Sequence, residues 1–236
     1  MKKHIKTIHE EINETLIHII IPSAGIGRRM KSYGCKSLLN IKNETLINIQ
    51  LEAIDKVIPN KEIILITGFD SDRLMNQSPN SIIKIENERY YESNVIRSIG
   101  MGLRAIKEND HVLIVFGDLL LNEQTLGLID YQKSCVLISD YMSDNEVGCN
   151  INHKGHLEYM MFDLPNKWGH IVYLTSKELS LFKKLVWSKN SDKKFCFEIL
   201  NDVVSHGGKL TCIKHEDIRI MDIDTSKDLQ KAQEFI

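Results

Sequence analysis

Five short runs rich in β-branched and other apolar residues recur along the chain, at Ile17 to Ile21, Ile63 to Thr67, Ile82 to Ile85, His111 to Phe116 and Cys135 to Ser139. Four are nearly uniformly apolar, the pattern of strands covered on both faces, as in a parallel sheet. Segments with helical spacing lie between them, at about Thr45 to Val57, Ser71 to Asn76, Asn94 to Glu108 and Asn122 to Tyr131. This alternation predicts a layered α/β sheet built with right-handed crossovers.

The rhythm changes after Asp140. "EVGCNINHKGHLEYMMF" places a Lys154-Gly155 turn between two alternating segments, which predicts a hairpin, and "HIVYLT" adds a further strand. Helices are expected at Ser176 to Trp187 and about Phe195 to Ser205. A Gly207-Gly208 break, a strand near Leu210 to Lys214 and a closing helix at Ser226 to Phe235 follow. The pattern divides the chain into an N-terminal extension, 1–16, and one domain, 17–236. Within that domain the core covers about 17–140 and 209–236, and an inserted lobe covers 141–208.

Composition narrows the classes of partner. With 30 Lys and Arg against 32 Asp and Glu in 236 residues, the net charge is -2, and no overall field favours nucleic acid or an acidic membrane. Five cysteines without a C-x-x-C pair argue against a complete set of internal disulfides. The opening "MKKHIKTIHEEINETL" has glutamates where a signal peptide needs its apolar stretch, so a cytoplasmic location without membrane contact is expected. His153 and His156, flanking the predicted turn, and His215 lack the fuller ligand set of a zinc site.

Candidate chemistry begins at "SAGIGRRMKSYGCKS", Ser23 to Ser37, directly after the first apolar run. A dinucleotide fingerprint requires a third small residue where Met30 stands, and a P-loop is interrupted by Cys35 between Gly34 and Lys36. What remains is a strand ending in a glycine loop with free N–H groups, followed by Arg29 and Lys36. Such a loop can surround phosphate oxygens, or it can be a turn with solvated basic residues. Asp118 ends the apolar run "VLIVFGD", at the strand end where open α/β sheets bind ligands. A turn or N-cap role is its alternative. In "IMDIDTSKDL", Asp222 and Asp224 are two apart on an expected short strand, so both carboxylates could face one cation or solvent, while Thr225 and Asp228 form a capping box. In "NERYYESNVIRSIG", Ser93 is an ordinary N-cap candidate beside Asn94 and Ser98.

The order Gly25-x-Gly27-x-Arg29-Met30, Lys36, Gly117-Asp118 and "DIDTSKDL" resembles the nucleotidyltransferases that activate sugar phosphates, phosphocholine and related compounds. The resemblance spans about Ile17 to Phe235 and implies a Rossmann-like three-layer α/β/α fold, with a mostly parallel mixed sheet and a small acceptor-binding insert. It implies that Ser23, Ala24, Gly25, Gly27 and Arg29 hold a nucleoside triphosphate, that Asn94 and Ser98, and less directly Asn87, lie beneath the nucleotide, and that Lys36, Arg29 and Asp118 carry catalysis. Mg2+ would be held by Asp118 with Asp222 or Asp224. Trp168, in "PNKWGHIVYL", falls where the family approaches its acceptor. Two departures stand out: Cys35 replaces the usual proline before the lysine, and Pro22-Ser23 replaces small apolar residues. The "ESNVIRS" and "DIDTSKDL" segments resemble cytidylyltransferases acting on phosphocholine, phosphonates or phosphorylated amino-acid derivatives, a phosphorylated glutamine included, more than the longer sugar-phosphate uridylyl- or thymidylyltransferases, and one branch of such enzymes serves capsule modification, so CTP is the expected donor. A sugar-1-phosphate nucleotidyltransferase is the alternative, and a non-catalytic nucleotide sensor is the alternative of another class. Oligomeric state stays open, a homodimer included.

Overall fold

The computed structural model describes residues 15–107 and 110–235. Most of the expected 1–16 extension therefore lies outside the described residues, as does Glu108.

In chain order the elements are β1 (Ile17–Pro22), β2 (Asn40–Ile41), β3 (Glu44–Thr45), α1 (Leu46–Val57), β4 (Lys61–Thr67), α2 (Ser71–Gln77), β5 (Ile83–Glu86) and α3 (Val95–Leu103). They continue with β6 (His111–Val115), β7 (Leu119–Leu121), α4 (Glu123–Gly127), β8 (Cys135–Ile138), β9 (Val147–Ile151), β10 (Leu157–Phe162) and β11 (Asn166–Thr175). The last are α5 (Ser176–Val186), α6 (Cys196–Ser205), β12 (Thr211–Lys214), β13 (Ile220–Asp222) and α7 (Ser226–Phe235).

The apolar runs become a parallel core: β1 lies between β4 and β6, and β5 extends the sheet beyond β4. All six residues of β1 are buried, because helices cover both faces. One apolar cluster joins β1 and β6 to Ile47, Leu51 and Ile54 of α1, and a second joins the other face to Ile96, Ile99 and Leu103 of α3 and to Phe182 of α5. These are the outer layers of a three-layer α/β/α fold.

β11 makes the sheet mixed. Its second half, Ile171–Thr175, runs antiparallel to β6, its residues Trp168, Val172 and Tyr173 pair antiparallel with β8 on the other side, and its first two pair with β9 of the β9–β10 hairpin. β12 returns parallel to β8. Segment 141–208 thus shares a strand with the central sheet. A two-stranded sheet of β13 and β7, with Asp222 opposite Leu119, draws the C-terminal segment to the end of β6.

Several boundaries differ from the sequence pattern. α3 stops at Leu103 because the chain turns to bury Ile106, whose N–H donates to the Leu103 carbonyl at 3.3 Å. α4 stops at Gly127, and Tyr131 instead turns inward, its hydroxyl donating to the Leu126 carbonyl at 3.1 Å. Asn94 caps α3, accepting from Val95 N at 2.8 Å, while Ser93 Oγ donates to the Arg89 carbonyl. β13 ends at Asp222, so Asp224 stands on the following loop and not on the strand.

Candidate active site

A cleft of about 440 Å³ opens at the carboxyl ends of β1 and β6. Its walls include Ser23, Ala24, Gly25 and Gly27 of the glycine loop, Lys36, the polar trio Asn87, Asn94 and Ser98, and the carboxylates Asp118, Glu146, Asp222 and Asp224. Three distant stretches of sequence converge on one space.

The glycine loop leaves β1 with Ser23 N donating to the Ile66 carbonyl at 2.8 Å, then reverses at Gly27, whose φ of 58° suits glycine. A 3-10 turn, Lys36–Leu38, presents the lysine. Cys35 precedes that turn with a φ of -64°, the angle a proline ring would impose, so the departure from the family's proline leaves the backbone direction intact.

Lys36 Nζ donates to Asp118 Oδ2 at 3.0 Å and also to Asp224 Oδ1. Arg29 Nη1 donates to the other oxygen of Asp224, Oδ2, at 2.9 Å. Burial alone would lower the Lys36 pKa, but Asp118 and Asp224 reverse this and hold it above the ordinary lysine value. Burial likewise opposes ionisation of Asp118, and Lys36 with His170 overcomes it, keeping that carboxyl below its usual range.

Asp222, Asp224 and Glu146 each bring an oxygen within 4.8 Å of the others. Burial, then Glu146, Asp118 and Asp224, push the Asp222 carboxyl up to about 7, so the cluster carries more negative charge than its protein surroundings neutralise. Hard oxygen donors in this arrangement fit Mg2+. His170 Nε2 lies 3.4 Å from Glu146 Oε2 and lowers the carboxyl's pKa through that contact. Neither residue stood out in the sequence. Glu146 belongs to no spaced motif, and it reaches the cluster only because the hairpin folds back along β11.

The polar trio forms a second wall. Asn87 Nδ2 donates to Ser98 Oγ at 3.1 Å, and its Oδ1 accepts from Arg89 N at 3.1 Å, which holds the segment before α3 against β5. Asn94 therefore caps a helix and faces the cleft at once. Ser23 Oγ is buried without a protein partner at the mouth of the loop.

Trp168 requires a correction. It is 2% exposed, its indole N–H donates to the Ile171 carbonyl at 3.1 Å, and its ring packs against Phe116 and His170, so it supports the cleft wall and does not face a substrate.

Residues 19–129 match the family of MobA-like NTP transferase domains. The match begins inside β1 and runs through the glycine loop, Lys36, the polar trio and Asp118 to the end of α4. That segment of the chain is similar to NTP transferase domains. No curated protein matches the sequence. Among solved structures, it is similar to CTP:phosphocholine cytidylyltransferase from Streptococcus pneumoniae, with a TM-score of 0.71 at 16% identity, covering 93% of this chain and 98% of that one. It is also similar to the inositol-1-phosphate CTP transferase from T. maritima, with a TM-score of 0.71 at 15% identity over 95% and 98%. A UDP-glucose pyrophosphorylase from Acinetobacter baumanii gives 0.72 at 11% identity over 93% and 92%. At these identities the likeness concerns the fold alone. Among the described residues, no helix is long and apolar enough to cross a membrane.

Proposed function

We propose that this protein is a Mg2+-dependent cytidylyltransferase that moves CMP from CTP to a small phosphorylated or phosphonate acceptor, releasing pyrophosphate. The observation that carries the reaction type is Lys36 held between Asp118 and Asp224 in the cleft that the glycine loop and the polar trio enclose. Support for CTP comes from the "ESNVIRS" segment and from two similar structures whose names contain CTP. A sugar-1-phosphate acceptor is the second reading, favoured by the equal likeness to a UDP-glucose pyrophosphorylase.

An acceptor oxygen attacks the α-phosphorus in line with the leaving pyrophosphate, so one P–O bond forms as another breaks, and alignment with charge stabilisation supplies the catalysis. Backbone N–H groups of Ala24 to Gly27 and the guanidinium of Arg29 bind the β- and γ-phosphates. Lys36 lies between the α-phosphate and the acceptor and offsets the repulsion of two anions. Asn94 and Ser98 orient the nucleoside. Asp222 and Asp224 with Glu146, and Asp118 beside them, would hold Mg2+, which would supply charge neutralisation when bound. The 141–208 segment is the place for the acceptor, and a phosphocholine-, phosphonate- or phosphoglutamine-like compound, used in surface or capsule modification, fits this reading.

The test is a pyrophosphate-release screen of four nucleoside triphosphates against phosphorylated acceptors with Mg2+. CTP with one small non-sugar acceptor is the expected hit. Turnover confined to UTP or dTTP with a hexose 1-phosphate would favour the second reading, and tight CTP binding without pyrophosphate release would make the protein a nucleotide sensor.

A further inference from the structure

Asp118 sits on a turn between β6 and β7 that has no regular ladder of its own, yet every carbonyl from Phe116 to Leu119 is engaged. The Asp118 carbonyl accepts from Ile223 N at 3.1 Å, between the two C-terminal aspartates. The Gly117 carbonyl accepts from Ser37 Oγ at 2.7 Å, directly beside Lys36. The remaining two are held from below by a single side chain. Gln50 of α1 is fully buried, and its Nε2 donates to the Phe116 carbonyl at 2.8 Å and to the Leu119 carbonyl at 2.7 Å. Both amide protons are therefore spent on the residues that flank Gly117-Asp118.

A polar amide on the buried face of an amphipathic helix is costly unless it is bonded. Its neighbours on that face, Ile47, Leu51 and Ile54, are apolar. An apolar residue at position 50 would leave the Leu119 carbonyl unsatisfied and the Phe116 carbonyl with only the longer bond from Leu119 N at 3.3 Å, and the turn would shift to find other donors. We infer that Gln50 is a positioning residue that fixes the Asp118 turn from beneath and thereby sets the distance between Asp118 and Lys36. The inference rests on the proposed role of Asp118 in pyrophosphate release.

Gln50→Met removes both donors at nearly constant length. Its kcat for pyrophosphate release is expected to fall between about ten- and a hundredfold, with KM for the nucleotide within about threefold of wild type, as for a displaced reacting group. Ile54→Ala on the same helix is the control for destabilisation alone. At temperatures where both variants are folded it is expected to keep kcat within about twofold, since that side chain touches no reacting atom. Equal kcat in Gln50→Met and Ile54→Ala would overturn the inference. Gln50→Glu is the second variant: a buried protonated carboxyl offers one donor for two carbonyls, and an intermediate kcat is expected. A full wild-type rate in it, or failure of both position-50 variants to fold, also overturns the assignment. A wild type that neither releases pyrophosphate nor is stabilised thermally by any of the four triphosphates sinks the reading of the site as a whole. An active wild type with an equally active Gln50→Met sinks this inference alone.

Discussion

Lys36 Nζ lies 3.0 Å from Asp118 Oδ2 across 82 positions of sequence. One residue comes from a loop after β1 and the other from a turn after β6, and these two strands are adjacent and parallel. The pairing therefore follows from sheet order, and it puts a cation where two phosphate groups would meet. Lys36→Met should reduce pyrophosphate release on the order of a hundredfold or more, as loss of a preorganised charge does elsewhere. Steady-state turnover of a folded variant checks this, and a rate near wild type would remove Lys36 from the chemistry.

Asp222 makes a pH-dependent prediction. Its carboxyl keeps a proton up to about 7 in the folded chain, against an ordinary value of 3.8. Between those values the native state binds the extra proton, so this group's contribution makes stability fall as pH rises across that interval. Asp222→Asn cannot ionise and should gain stability relative to wild type between pH 5 and pH 8, measured by urea unfolding without added metal. Parallel curves for the two proteins would show that the carboxyl is not perturbed. On the proposed function Mg2+ would compete with the same proton, so its stabilisation of the wild type should be larger at pH 8 than at pH 5.

Much of the site is readable from sequence because its residues depend on local rules. A glycine loop after a buried strand, an aspartate ending another, and a capping box in which Thr225 N donates to Asp228 Oδ2 at 2.8 Å all leave spacings. Glu146, His170 and Gln50 leave none. Glu146 and His170 meet through the pairing of β9 with β11, and Gln50 appears as an ordinary polar interruption in an amphipathic helix until the strand end above it is seen. Trp168 is the converse case: it lies in a segment that sequence singles out, yet its ring is buried in the core. Two helices end earlier than their local pattern predicts, because tertiary burial of Ile106 and Tyr131 overrides it.

Gly117 is required by closeness of packing. A Cβ there would lie 1.9 Å from Ser23 Oγ and 2.9 Å from Ser37 Oγ. Gly117→Ala should cost about 1–3 kcal/mol of stability, the range for an added methyl group in a packed interior. Chemical denaturation reads the cost. Ser23→Ala in the same chain should recover part of it, and no recovery would mean that the backbone, not the serine, limits the space.

Cys35 offers a test of the turn before Lys36. Since its φ is already -64°, Cys35→Pro should fold without strain at that bond and gain about 0.4–1 kcal/mol by restricting the unfolded chain. A lowered melting temperature would indicate that the Cys35 N–H or thiol has work that the ring cannot do.

β11 has a mechanical consequence. Because it is zipped to β6 along one edge and to β8 along the other, the portion of chain assigned to the acceptor cannot swing away on a hinge without unzipping the middle of the molecule. On the proposed function, exchange of substrate and product would then take place at the rim of the cleft, around a stiff frame.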